Sequence, residues 1–284
     1  MKIGVLVDCM KLDVKKGVLK ARGLGFDGVQ VYATHGELAP ENLSKSGRQQ
    51  FREFVAVNRL DLAALVGDVG GFDDPGTVEQ RVDRVKQVLA LAGDLRTPVV
   101  SAHIGFVEPE ETGPRRVCIA QALEELGACG EKVGVFFAAE TGMESATVLK
   151  DLLDNLQTEF VKVNYDPANL VMVAGDDPIA GVTTVADYIV HVHAKDGKKK
   201  GSWSPAELHA ALAEKGEHAI RFDEWFEETP LGEGDVDIPR FIEALAEIGY
   251  HGFLTIERET GDNPVEDIRA ARDKLHQILS QSGE

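Results

Sequence analysis

The sequence predicts a single barrel of eight parallel strands and surrounding helices, (β/α)8, on three observations. Eight short runs of strand character alternate with helical stretches along 284 residues. The runs are apolar throughout, as strands buried on both faces require. Four of the later runs end in groups able to bind a metal ion, and in a parallel barrel all strand C-termini open on one face.

Taken in order, KIGVLVD (2–8) is a first buried strand, and VKKGVLKARGLG (14–25) is a helix closing in a glycine-rich cap before the strand GVQVYA (28–33). Gly23, Gly25 and Gly28 spell GxGxxG, but a dinucleotide fingerprint runs strand, glycines, helix, and here the order is helix, glycines, strand. The glycines are therefore read as cap and turn. The same grammar returns at LAEIGYHGFLTIE (245–257). Between the two copies, helices at 44–59, 77–92, 115–132 and 143–156 precede strands at 60–67, 97–105, 133–140 and 161–166. A short helix near 178–187 leads to DYIVHVHAKD (187–196). One unit then breaks the rhythm.

Residues 197–235 form an insertion with its own helix (204–216) and a strand-like stretch (219–228), before the barrel helix 237–249. Because it leaves the C-terminal end of the seventh strand, it is expected to lie over the barrel mouth as a lid. Trp203 and Trp225 fall within it and are read as anchors to the barrel rim. The last helix follows GDNP (261–264), and no linker divides residues 1–284, so one domain is drawn.

Lys and Arg number 30 against 48 Asp and Glu, a net charge of −18, which repels polyanions and argues against nucleic acid as a partner. Cys9, Cys118 and Cys129 show no CxxC spacing, which suits a reducing cytoplasm. No run is long and apolar enough for a membrane span.

The strand ends carry the chemistry. Glu140 ends VGVFFAAE, Asp166 ends VKVNYD, His191 and His193 lie near the end of the seventh strand, and Glu257 ends HGFLTIE. Any one of these acids could cap a helix or pair with a base. Together they suit one divalent ion, Mn²⁺, Mg²⁺, Co²⁺ or Zn²⁺, with no thiolate to impose zinc alone. His191 and His193 are expected to face opposite ways, which leaves His193 as ligand and His191 as a packed or supporting group. His103 ends the fourth strand and is a candidate substrate contact, with His35 a weaker one.

HVHAKD (191–196), LGEGDVDIPRFIEAL (231–245) and GYHGFLTIE (249–257), with AAETG (138–142) and NYDPAN (164–169), resemble the xylose isomerase-like sugar isomerase/epimerase superfamily. The resemblance covers essentially the whole chain. It implies a TIM barrel in which Glu140, Asp166, His193 and Glu257 hold a divalent ion. The implied reaction is proton transfer through a metal-stabilised enediolate by Glu140 and Glu257, on a sugar, sugar phosphate or polyol. Relatives often associate through the barrel rim, so a homo-oligomer is an open expectation. The ketose 3-epimerase branch has a second histidine where this chain has Asn169, and an arginine near Lys195-Asp196-Gly197, which sets the chain apart from it. Asn169 and Lys195 stand as candidate substrate contacts, Lys195 alternatively as a general acid or a partner of Asp196. The HAKD form looks more like sugar isomerases and inositol-pathway relatives, some of which dehydrate rather than isomerise. A metal-dependent dehydratase of an inosose- or dehydroshikimate-like keto-polyol is the alternative, followed by a non-catalytic sugar- or metal-binding protein and an endonuclease IV-like nuclease.

Overall fold

In the computed structural model, which describes residues 1–216 and 219–282, eight parallel strands close into a barrel in the order β1-β10-β7-β6-β5-β4-β3-β2. These strands are β1 (Lys2–Leu6), β2 (Gly28–Tyr32), β3 (Asp61–Val66), β4 (Val99–His103), β5 (Phe136–Glu140), β6 (Val161–Tyr165), β7 (Ile189–Ala194) and β10 (Phe253–Ile256). Around them run α1 (Val14–Leu24), α2 (Lys45–Val57), α3 (Val78–Leu95), α4 (Pro114–Val133), α5 (Ala146–Asp154), α6 (Pro167–Asn169) and α7 (Pro178–Thr184). Three more follow, α8 (Pro205–Lys215), α9 (Ile238–Glu247) and α10 (Pro264–Ser282).

The glycines read as cap and turn act so. Gly25 ends α1 at φ +81°, its N–H returning to the carbonyls of Ala21 and Arg22, and Gly249 follows α9 at φ +76°. Gly28 serves a close approach instead. A Cβ there would stand 2.5 Å from Cε1 of Phe253 and 2.9 Å from the Asp61 carbonyl oxygen. That glycine lets neighbouring strands meet and leaves nothing for a nucleotide phosphate to use.

Strand alternation sorts the core into two shells. Phe137, Val163, Tyr165 and Val192 pack outward under the helices, Tyr165 stacking on Phe241 of α9 at 5.8 Å and donating to the Pro178 carbonyl oxygen at 2.6 Å. Positions on the other face include Gln30, Ser101, Asn164, His191 and Thr255, all at most 1% exposed. A polar layer thus fills the barrel interior, which places hydrogen-bonding groups under the mouth.

The insertion differs from expectation in detail. Its strand is β9 (Phe226–Thr229), shorter and later than 219–228, because antiparallel pairing with β8 (Asp196–Lys199) begins only at Phe226↔Lys199. A 3-10 turn, Phe222–Glu224, precedes it. Trp203 and Trp225 meet edge to face at 5.1 Å, and Trp203 Nε1 donates to the carbonyls of Lys200 and Trp225, so they tie the insertion together while both also pack against the main hydrophobic core. Residues 217 and 218 of the insertion, and 283 and 284 of the domain, lie outside the described residues. Among the described residues no helix is long and apolar enough to cross a membrane.

Candidate active site

Four strand ends deliver their side chains to one point. Glu140 is the last residue of β5, Asp166 follows β6 as the cap of α6, His193 lies on β7, and Glu257 follows β10. Each offers one ligand atom, and those atoms all lie within 4.8 Å of one another. His193 Nδ1 stands 3.4 Å from Glu140, 3.7 Å from Asp166 and 3.3 Å from Glu257. All four residues are buried.

Such a set suits a cation. Three carboxylates crowded out of water repel one another unless positive charge enters. Asp166 Oδ1 accepts the backbone N–H groups of Ala168 and Asn169, whereas its buried Oδ2 has no hydrogen-bond partner, a free lone pair turned toward His193. Burial raises the Asp166 carboxyl above its usual range, against the easing effect of His193 and Lys195. For Glu257 burial acts the same way, but Lys195 and His193 outweigh it and hold the carboxyl well below its usual range.

Supporting groups fix the ligands. His193 Nε2 stands 3.0 Å from Gln30 Oε1 and 3.2 Å from Asn164 Nδ2, and a ring proton given to Gln30 would leave Nδ1 for the cluster. Gln30 is itself held by donating to Ser101 Oγ at 2.9 Å. Asn164 Nδ2 donates to Glu140 Oε2 at 3.0 Å, and Asn169 Nδ2 donates to Glu140 Oε1 at 3.3 Å. Thr141 ties β5 to β6, its hydroxyl accepting the Asp166 N–H and donating to the Asp166 carbonyl oxygen. Sequence reading passed over Gln30, Asn164 and Thr141. The signal was a polar residue inside an apolar strand, as in GVQVY and VKVNY. If the site takes a metal, Gln30→Leu is expected to weaken its affinity about 10–100-fold with the fold intact, as measured by competition with a chelating dye.

Contrary to expectation, His191 and His193 both point into the barrel. Residues two apart on a strand share a face, and both Nε2 atoms reach Gln30 Oε1, at 3.3 and 3.0 Å. Burial and the charge of His193 push the His191 imidazole down to about 3, so it stays neutral beneath the cluster. Lys195 also departs from one expectation, because it does not pair with Asp196. Its ammonium meets Glu257 at 2.7 Å and Glu259 at 2.8 Å, while Asp196 accepts the backbone N–H groups of Gly197, Gly232, Gly234 and Val236. Burial lowers the Lys195 pKa, yet Glu257 and Glu259 dominate and raise it well above its usual value, which leaves a fixed charge rather than a ready acid.

A cavity of about 1800 Å³ opens over the cluster. Its wall includes Glu140, His103, Asn169, Lys195 and His35, with Leu208, His209 and Leu212 of α8 supplied by the insertion. His103 presents half its side-chain surface there, Nδ1 held by Asp68 at 2.5 Å and Nε2 3.6 Å from Glu140. Enclosure lowers its pKa, but Glu140 and Asp68 prevail and hold the ring well above the usual range.

Glu144 lines the same cavity at 5% exposure, and burial pushes its carboxyl up to about 7. An acid raised in this way binds more protons folded than unfolded between its ordinary 4.5 and about 7, so stability falls as pH rises through that window. Glu144→Gln is therefore expected to stabilise the protein by up to about 3 kcal/mol at pH ~8 and by nothing below pH ~4, in denaturant titrations at the two values.

The chain belongs to the xylose isomerase-like TIM barrel family, whose pattern matches residues 18–278. A solved xylose isomerase domain protein from Planctomyces limnophilus is 27% identical and superposes with a TM-score of 0.80, over 99% of this chain and 97% of that one. A xylose isomerase-like barrel from Mycobacterium smegmatis, solved in complex with magnesium, shares the fold at TM-score 0.68 and 18% identity, over 94% of this chain and 88% of its own. Among curated proteins, an inosose dehydratase of Mesomycoplasma hyopneumoniae strain 7448 is 26% identical over 170 residues, 57% of this chain. The match spans 54% of that relative, about half its length.

Proposed function

We propose that this protein is an enzyme that holds one divalent ion with Glu140, Asp166, His193 and Glu257 and moves a proton at the carbon beside a carbonyl of a polyhydroxylated substrate. The observation that carries this reading is the convergence of three buried carboxylates and an imidazole within 4.8 Å, beneath a cavity roomy enough for a sugar or cyclic polyol. An ion held there, Mn²⁺, Mg²⁺, Co²⁺ or Zn²⁺, would supply Lewis acidity that acidifies the C–H beside a substrate carbonyl.

The protein's own groups do the rest. Glu257, kept ionised by Lys195, accepts the proton on one side, and Glu140, oriented by Asn164 and Asn169, serves on the other. Lys195, held between Glu257 and Glu259, offers a donor to substrate oxygens at the wall, where His103, fixed by Asp68, is also exposed. The proton returned to the neighbouring carbon gives isomerisation, and returned to the opposite face gives epimerisation. Loss of a hydroxyl from the next carbon gives dehydration, the outcome favoured by the inosose dehydratases among the curated relatives.

An uncharged substrate fits better than a phosphorylated one. Cations on the cavity wall are already matched: Lys195 to Glu257, Lys200 to Glu227, Arg115 to Glu108 and Arg258 to Glu228, while Arg81 donates to the carbonyls of Gly70 and Gly71. The test is incubation of metal-loaded protein with inososes and free ketoses in ²H₂O, read by NMR and mass. Deuterium entering beside the carbonyl supports the reading, and no exchange with any of them refutes it.

A further inference from the structure

Glu144 differs from most acids of the cavity wall. Asp68 faces His103, Asp73 faces His209, Asp223 faces Arg221, Glu227 faces Lys200, Glu228 faces Arg258 and Glu259 faces Lys195, each within hydrogen-bonding distance of its partner, and Asp74 accepts the Gly76 N–H and the Thr77 hydroxyl. Among the described residues no cation pairs with Glu144, and its Oε1 is buried with no hydrogen-bond partner. Its own N–H and that of Gly142 support the carboxyl, and the charge of His103, the ring that also approaches Glu140, acts on it. The β5–α5 loop thus holds a shielded acid four residues from Glu140, in the same cavity. A carboxyl in such surroundings is stabilised with its proton on, and because the buried Oε1 has no partner to give up, a rotation of the carboxyl turns its O–H to a substrate in the cavity. His103 is the rival donor, but its nitrogens face Asp68 and Glu140, so its protons are directed at carboxylates.

Resting on the function proposed above, we infer that Glu144 is the acid that protonates a departing substrate hydroxyl, which makes loss of water the reaction this cavity performs. The elimination needs no oxidant. A basic carboxylate of the cluster takes the proton beside the carbonyl, and the C–H pair moves to the enolate. As the carbonyl re-forms, that pair becomes the double bond to the next carbon, whose C–O bond breaks. The hydroxyl leaves with the bonding pair, takes the proton of Glu144 and departs as water. Glu144 regains its proton from solvent and the basic carboxylate returns its own. Polyols with a hydroxyl two carbons from the carbonyl, such as inososes, are the substrates this chemistry requires.

The experiment compares wild type and Glu144→Gln, both metal-loaded, on an inosose in ²H₂O. Glutamine keeps the shape but delivers no proton. The expected result is that the variant still exchanges the hydrogen beside the carbonyl, within a few-fold of wild type, while dehydrated product falls at least about a hundredfold. An analogue with fluoride in place of the departing hydroxyl, which leaves without protonation, is expected to be eliminated by both proteins at similar rates. Full dehydration by the variant overturns the inference, as does parallel loss of exchange and elimination in a folded, metal-bound variant. A wild type that exchanges but never eliminates water removes the role of Glu144 while leaving the proton-transfer function standing. A wild type that does neither refutes the function itself and the inference with it.

Discussion

Glu257→Gln is expected to lower turnover by about 10²–10⁴-fold, with KM changed little once metal is saturating. The carboxylate follows β10 at 7% exposure, and its charge is sustained by Lys195 at 2.7 Å and by His193. Glutamine has the same shape yet accepts no proton at neutral pH, so binding survives and the chemical step does not. Lys195 retains Glu259 at 2.8 Å, which limits collateral damage. Glu140→Gln is a harsher change. Both Glu140 oxygens accept side-chain amides, from Asn164 and Asn169, so the new NH₂ group must face a donor wherever it turns. Deuterium exchange beside the carbonyl separates the cases, and a Glu257→Gln protein that exchanges at the wild-type rate would exclude Glu257 as the base.

Lys195→Met is expected to destabilise the fold by about 3–5 kcal/mol, the cost of leaving a buried charge without its partner. Lys195 is 5% exposed and lies between Glu257 and Glu259, with Glu228 at 3.8 Å. Its removal strands the buried Glu257 carboxylate in a site already rich in acids, whereas Glu259 is half exposed and Glu228 keeps Arg258. The pH dependence has a definite sign. Glu257, whose folded pKa is depressed, contributes stability above its unfolded value near 4.5 that is lost as pH falls through the folded one. Without Lys195 that contribution shrinks, so the gap between wild type and variant is widest near neutrality and narrows in acid. Urea titrations at pH ~7 and ~4 measure it, and an equal gap at both values would show that lost packing, not charge, is responsible.

The strand ends were legible because parallel strands in a closed barrel aim their C-termini at one face, so Glu140, Asp166, His193 and Glu257 converge although they span more than a hundred positions. The layer beneath them was less legible. Gln30 and Asn164 look like single interruptions of apolar strands, and only the closed register β2 to β4 and β5 to β7 shows that they fix His193 and Glu140. The shared face of His191 and His193 was available from strand alternation and was misjudged. Lys195 reaches across to Glu257 and Glu259, 62 and 64 positions away, rather than to its neighbour, because Asp196 is already surrounded by backbone N–H groups. Glu144 carries no sequence mark, since its character comes from burial without a partner. The insertion's strand was placed too early, at 219–228, because its boundary is set by antiparallel pairing with Asp196–Lys199, a contact with no local signature.

The most direct test of the central claim is the metal content of the purified protein, compared with Asp166→Ala and His193→Ala. Asp166 supplies the unpartnered oxygen and His193 the imidazole facing all three carboxylates, so each deletion removes a ligand that no neighbour replaces. The account predicts about one divalent ion per wild-type chain and loss of that ion in both folded variants. A wild-type chain that binds no Mn²⁺, Mg²⁺, Co²⁺ or Zn²⁺ when these are added, or variants that bind as tightly as wild type, would contradict it.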